Sequence, residues 1–277
     1  MTRLLMCPPT TFSVTYDINP WMTRNVGVRT PDAMRQWERL VEILQCAGDV
    51  AIECVEAPTG LPDMVFTANA ALVSGGLAIV SSFRHPERRR EQNAYRAWLA
   101  QAGFATTYLQ ATFFEGAGDA LFDRVRPILY AGYGWRSERG AASQISETLG
   151  IRTVPLLLVD ERFYHLDTAL CPLASGHVMV FMDAFSPHAQ TFLRRTIEPE
   201  YLIDVSVEDA LAFACNAVEI DGAVVLHSAS SALRDRLHAA GYRIFATDLA
   251  DFHKAGGSAK CLTLRLDDGP AVDAAAA

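Results

Sequence analysis

The chain lacks most of the features that would staple, anchor or strongly charge it. Its six cysteines, Cys7, Cys46, Cys54, Cys171, Cys215 and Cys261, are scattered through 277 residues with no Cys-x-x-Cys pair and no histidine cluster at ligand spacing. That pattern argues against a disulfide framework and a zinc site, and reads as a reduced, cytoplasmic protein. No stretch approaches the roughly 18 uninterrupted apolar residues of a membrane span, and the apolar run after Met1 is too short for a signal peptide. Basic residues are outnumbered, with 24 Lys and Arg against 32 Asp and Glu for a formal charge of −8. A phosphate-backbone partner needs a basic patch, so nucleic acid is disfavoured, whereas an acidic balance suits a cationic substrate. Gly116-Ala117-Gly118 lacks the Lys-Ser/Thr tail and the third spaced glycine of phosphate loops, which discounts nucleotide binding. A chain of this length still buries about three quarters of its unfolded surface, enough for a full core.

What is present is a recurring pattern. A strand over residues 4–7 is followed by a long loop to Thr30 carrying Asn19-Pro20-Trp21-Met22, too long for a mere connector. Pro31 opens a helix that Gly48 caps, with Met34, Trp37, Leu40, Val41 and Leu44 on one face. Strand Val50–Val55 then leads to a second strand, Leu61–Asn69, ending in polar residues, and to Leu77–Ser82. Helix, strand, polar corner and strand recur, with helices expected from Pro86, Ser137, Pro187 and Ser231 and corners at Glu115 to Asp119, at His165 to Asp167, at Asn216 and at Cys261. Five such units at roughly 40 to 55 residues fall in the range of repeat architectures. If they close radially, the corners face a common axis and no sheet edge remains open.

The corners hold chemistry. Gly256-Gly257 lets the backbone approach a ligand, and Leu262, Leu264 and Leu266 alternate into a half-buried strand that displays Cys261 at its mouth. Lys260 favours a thiolate there if its charge reaches the sulfur. His165 and Asp167 lie two apart in a segment expected to be extended, on one face. Cysteine, histidine and an orienting carboxylate, Glu115, are the parts of covalent catalysis. Asp63 and Asp167 suit a planar guanidinium, whose forked N–H groups match carboxylates. The basic run around Arg88 reads as a solvated helix face.

Phe114-Glu115-Gly116-x-Gly118-Asp119, His165-Leu166-Asp167-Thr168 and the Gly-Gly approach to Cys261 together resemble the pentein superfamily of guanidine-modifying enzymes, over nearly the whole chain. The resemblance implies an α/β fold, a five-bladed propeller spanning residues 1–268 as one catalytic domain, with residues 269–277 a disordered tail. It implies no metal or organic cofactor, a small cationic guanidino substrate, no membrane partner, and leaves homo-oligomers open. Position by position, Cys261 matches the nucleophile, His165 the general acid/base and Glu115 its partner; Asp63 and Asp167 match guanidinium-holding positions, and Arg88 and Arg136 the arginines that clamp an α-carboxylate.

Two departures sort the subfamilies. Dimethylarginine dimethylaminohydrolases usually carry a lysine where Asp167 stands. Asn69 replaces an aspartate of both those enzymes and the deiminases, which is similar to succinylarginine and arginine dihydrolases; the Tyr16-to-Met22 loop, with Asn19 as a further substrate contact, strengthens the arginine dihydrolase likeness. An amide can accept or donate, so Asn69 suits both a guanidinium and a neutral ureido group. The expected reaction is hydrolysis of arginine to ornithine, two ammonia and carbon dioxide. Deimination of arginine or a methylarginine to citrulline, amidino transfer and non-catalytic sensing are the alternatives.

Overall fold

A computed structural model describes residues 1–23 and 27–269. The expected tail from residue 270 onward lies outside the described residues. The chain begins with strand β1 (Thr2–Met6), crosses through helix α1 (Thr30–Ala47) and returns as β2 (Val50–Cys54), parallel to β1. A parallel pair needs such a crossover, and α1 buries Trp37, Leu40 and Leu44 over the sheet while Pro31 sits in its first turn.

The same plan then repeats. The second unit has β3 (Ala71–Ser74), β4 (Leu77–Val80), α2 (Glu91–Gln101) and β5 (Ala105–Tyr108); the third β6 (Ala120–Phe122), β7 (Ile128–Tyr133), α3 (Ala141–Leu149) and β8 (Arg152–Leu157). The fourth has β9 (Leu170–Pro172), β10 (Val178–Val180), α4 (Pro187–Thr196) and β11 (Leu202–Asp204). After the short α5 (Val207–Leu211) come β12 (Val218–Ile220), β13 (Ala223–Leu226), α6 (Ser231–Ala239), β14 (Arg243–Ala246) and α7 (Ala250–His253). In each sheet the middle strand pairs antiparallel with one neighbour and parallel with the other. Finally β15 (Leu264–Arg265) pairs antiparallel with β1, so the first sheet is built from both ends of the chain. Five three-stranded sheets result, the five-bladed α/β arrangement of the penteins.

Several local expectations are corrected. Residues 61–69 form two tight 3₁₀ turns, Pro62–Val65 and Thr67–Asn69, in place of a strand, because Pro62 cannot donate to a ladder and the segment turns inward to the axis. β3 follows them, where only β4 was expected. Asp167 lies in a 3₁₀ turn, Leu166–Thr168, with only His165 extended, so the two side chains reach different partners. Helix α2 begins at Glu91, and the turn before it carries Arg88 inward. Among the described residues, no helix is long and apolar enough to cross a membrane.

Candidate active site

The polar corners converge and are buried. Asp63, Asn69, Arg88, Glu115, Arg136, His165, Asp167 and Cys261 are each at most 2% exposed. They form three connected groups.

The first surrounds Glu115. His165 Nε2 lies 2.8 Å from Glu115 Oε2, and Arg136 donates to the same oxygen at 3.1 Å. The Arg84 backbone N–H donates to Oε1. Behind it, Ser137 accepts from the Glu115 backbone N–H and donates to Asp119, whose other oxygen accepts from Leu166 N–H beside His165. Burial alone would raise the Glu115 pKa, but Arg136 and His165 outweigh it and hold the carboxyl well below its usual range. Burial lowers His165 to about 4 against the pull of Glu115. At neutral pH the pair is therefore a carboxylate and a neutral imidazole; the tautomer donating Nε2–H leaves Nδ1 as the acceptor.

The second group holds the thiol. Cys261 Sγ sits 3.5 and 3.8 Å from the two Asp167 oxygens. Asn216 clamps the cysteine, donating from Nδ2 to Sγ at 3.1 Å and accepting the Cys261 backbone N–H at 3.0 Å. Burial, then the facing Asp167 carboxylate, push the thiol far above its normal pKa; the Ser258 N–H, Asn216 and Lys260 oppose this without prevailing. Burial raises Asp167 to about 7, with Lys260 the largest counterweight. The lysine thus favours the ionised form of both Asp167 and the sulfur, without overcoming burial at either. No hydrogen bond joins His165 to Cys261 among the described residues.

The third group corrects the solvated reading of Arg88. Its guanidinium is buried in a fork on Glu91, Nε to Oε1 at 3.0 Å and Nη2 to Oε2 at 2.8 Å, and lies 4.5 Å from the Phe83 ring centroid. Nη1 donates to Asn69 Oδ1 at 2.9 Å, while Asn69 Nδ2 donates to the Glu115 carbonyl at 3.3 Å. An added Cβ at Gly118 would stand 2.2 Å from Asn69 Nδ2, so that close approach requires glycine. Asp63 Oδ1 has no hydrogen-bond partner among the described residues. The Tyr16 hydroxyl, likewise without one, lies near enough to help stabilise the Asp63 charge; burial still raises the Asp63 pKa.

The long N-terminal loop closes over this cluster. Asn19 accepts from the backbone N–H groups of Trp21 and Met22 and donates to the Ala255 carbonyl at 3.1 Å, tying the loop to the approach to Cys261. Arg136 donates to the Ile18 carbonyl, and Trp21 packs on Phe213.

Eight of the nine candidate residues fall in these groups, and Asn19 lies on the loop tied to the approach to Cys261. Asn216 stood among the corners without a role, and Glu91, Tyr16 and Tyr164 went unassigned. The spacing Arg88-x-x-Glu91, an ion pair across one helical turn, was the readable signal for the first of these. Among the described residues, no group of three or more His, Cys, Asp or Glu is placed to hold a metal ion. Chemically the arrangement offers a buried thiol, a neutral imidazole and buried carboxyl groups.

Comparison with known proteins places this geometry. Residues 16–267 match the family of eukaryotic N,N dimethylarginine dimethylhydrolases. The bifunctional arginine dihydrolase/ornithine cyclodeaminase ArgZ of Synechocystis is 44% identical over 96% of this chain, but the chain spans only 38% of that protein's length. The N(G),N(G)-dimethylarginine dimethylaminohydrolase of Mycobacterium tuberculosis is 39% identical over 95% of this chain and 85% of its own. The crystal structure of the substrate-bound N-terminal domain of cyanobacterial ArgZ, an arginine dihydrolase, superposes with a TM-score of 0.94 at 41% identity, covering 98% of this chain and all of that one.

Proposed function

Because the chain belongs to the N,N dimethylarginine dimethylhydrolase family of the pentein superfamily, we propose that it is a cysteine-dependent hydrolase of the guanidino group of free arginine. Residues 1–268 act as one catalytic domain. The guanidinium enters between Asp63 and Asp167, adding to the positive charge that Arg88 and Lys260 bring to these buried acids, while Arg88 and Arg136 face the α-carboxylate and Asn19 closes the loop over it. A cation beside Asp167 and Sγ also favours the thiolate, since it offsets the repulsion that now holds the proton on sulfur.

Cys261 Sγ then attacks the guanidinium carbon. The thiol proton goes to the neutral His165 and from it to the departing ammonia, and water, deprotonated by the same imidazole, opens the thiouronium adduct to a ureido product. A second attack at the ureido carbon releases the second ammonia; hydrolysis yields a carbamate that decomposes to carbon dioxide and ornithine. The balance is arginine plus two waters to ornithine, two ammonia and carbon dioxide.

The observation that carries the double hydrolysis is Asn69. Its Nδ2 donates to a main-chain carbonyl and its Oδ1 accepts from Arg88. A carboxylate in that place would face the Glu115 carbonyl with no proton to give, whereas the amide keeps one N–H and one lone pair for a substrate that changes from cation to neutral. The likeness to the cyanobacterial dihydrolase domain supports the same reading. The 39% identity to the mycobacterial enzyme supports a second, hydrolysis of a methylated arginine to citrulline. Incubation with arginine, quantifying ornithine, citrulline and ammonia together, separates them. Ornithine with about two ammonia per arginine, the stoichiometry of two hydrolytic steps at one nucleophile, supports the dihydrolase; citrulline with one ammonia overturns the Asn69 reading; turnover of dimethylarginine alone favours the second.

A further inference from the structure

Tyr164 lies between Arg136, His165 and the glycine approach to Cys261. Its hydroxyl donates to the Gly256 carbonyl at 2.8 Å. The Arg136 guanidinium lies 4.5 Å from its ring centroid, and the His165 ring 4.7 Å away. Tyr164 is itself buried, so the hydroxyl is tolerated only because it is bonded.

Gly256 has φ +83°, and a Cβ there would come 2.7 Å from the Tyr164 hydroxyl and 3.0 Å from Asn19 Oδ1. The Gly256 carbonyl and Gly257 N–H share one peptide plane. That plane is pinned at both ends, the carbonyl by Tyr164 and the N–H by the Phe252 carbonyl at 3.2 Å. The next residue, Ser258, accepts from the Leu262 N–H at 3.2 Å and so lies in the turn that carries Cys261, and its own N–H acts to lower the thiol pKa. Rotation of the pinned plane would redirect that donor.

We propose that Tyr164 is a positioning residue with two separable parts: its hydroxyl orients the Gly256 peptide so that the Ser258 N–H supports the Cys261 thiolate, and its ring is the platform that holds the Arg136 guanidinium. This rests on the reading of Cys261 as the nucleophile, and not on arginine being the substrate. A phenylalanine would fill the same ring volume, so simple packing gives no reason for the hydroxyl.

The test uses Tyr164→Phe and Tyr164→Leu in the full chain, reading two quantities. One is the pH dependence of Cys261 alkylation by iodoacetamide, located by peptide mass spectrometry; Asp167 and Lys260 are the titratable groups facing that sulfur. The other is the split between kcat and KM for whichever guanidino compound the wild type turns over. Tyr164→Phe should move the alkylation profile to higher pH and lower kcat roughly tenfold, the scale of one lost buried hydrogen bond, with KM within about twofold for a retained Arg136 platform. Tyr164→Leu should in addition raise KM. An unchanged alkylation profile and kcat in the phenylalanine variant overturns the proposal, even if the leucine variant fails to fold. Because alkylation needs no substrate, a wild type inactive on arginine leaves that readout decisive.

Discussion

The two halves of the site are built on opposite electrostatic principles. Around Glu115 the charges are matched: one carboxylate, one arginine and a neutral histidine, joined by hydrogen bonds of 2.8 and 3.1 Å. Around Cys261 they are not. A thiol and a carboxylate face each other at 3.5 Å, with Asn216 the nearest donor, and both acids are pushed up by burial. The Glu115 cluster is paired at rest, whereas around Cys261 the cation Lys260 does not overcome the upward shift of either acid. We read that deficit as the imprint of the substrate guanidinium, whose arrival would complete the second half as Arg136 completes the first.

The most damaging way to break the contrast is Cys261→Ser. Turnover should fall by about 10⁴-fold or more, the scale for removing a covalent nucleophile, while isothermal titration still detects substrate binding. Unaltered turnover would place the nucleophile elsewhere.

Asp167→Asn removes the unmatched charge. The folded protein raises Asp167 from 3.8 to about 7, so it holds a proton that the unfolded chain has released. Stability from this group is present at low pH and lost as pH rises through that window. The variant should therefore gain on the wild type between pH 4 and 7, reaching roughly 4 kcal/mol, and should lose activity. Urea melts across this range check it; a variant no more stable at pH 7 than at pH 4, relative to wild type, refutes it.

His165→Gln should show the reverse trend. Burial lowers His165 from 6.5 to about 4, so the unfolded chain takes up a proton that the folded protein refuses. Relative to the variant, the wild type should lose stability as pH falls from 6.5 to 4, by roughly 3 kcal/mol. Equal slopes in paired melts would mean that the imidazole titrates alike in the folded and unfolded chain, and the depressed pKa of the buried histidine would be refuted.

The smallest effect is the sharpest on function. Asn69→Asp should keep the first hydrolysis and shift product from ornithine toward citrulline by roughly tenfold, about one misplaced acceptor. Product ratios decide it, and an unchanged ratio removes Asn69 from the second step.

Much of this was legible in the chain. Helix α1 announced itself through its apolar stripe and its Pro and Gly boundaries, and α4 through Pro187, with Ser186 as the cap the structure adds. Local rules carried these because periodicity and caps act within a few residues. The segment 61–69 was misread because its apolar residues look like a strand while Pro62 and the inward path impose tight turns. Arg88 was misread for a similar reason: a run of arginines looks solvated until Phe83, Asn69 and Glu91 surround one of them. The candidate residues were named from motifs, and Glu115 and His165 lie 2.8 Å apart; the Asn216 clamp on sulfur had no local signature.

By itself, then, the sequence determined the alternation of helix and strand, the polar residues at each corner and the lone cysteine behind two glycines, since each depends on neighbours in the chain. Only the tertiary structure decided which of those charges are matched. Glu115, Arg136 and His165 come from two different units, as do Asp167 and Cys261, and only the packing of one unit on the next brings them together. The cost of a buried charge depends on partners dozens of residues away, so the difference between a satisfied half and an unsatisfied one exists only once the ring is closed.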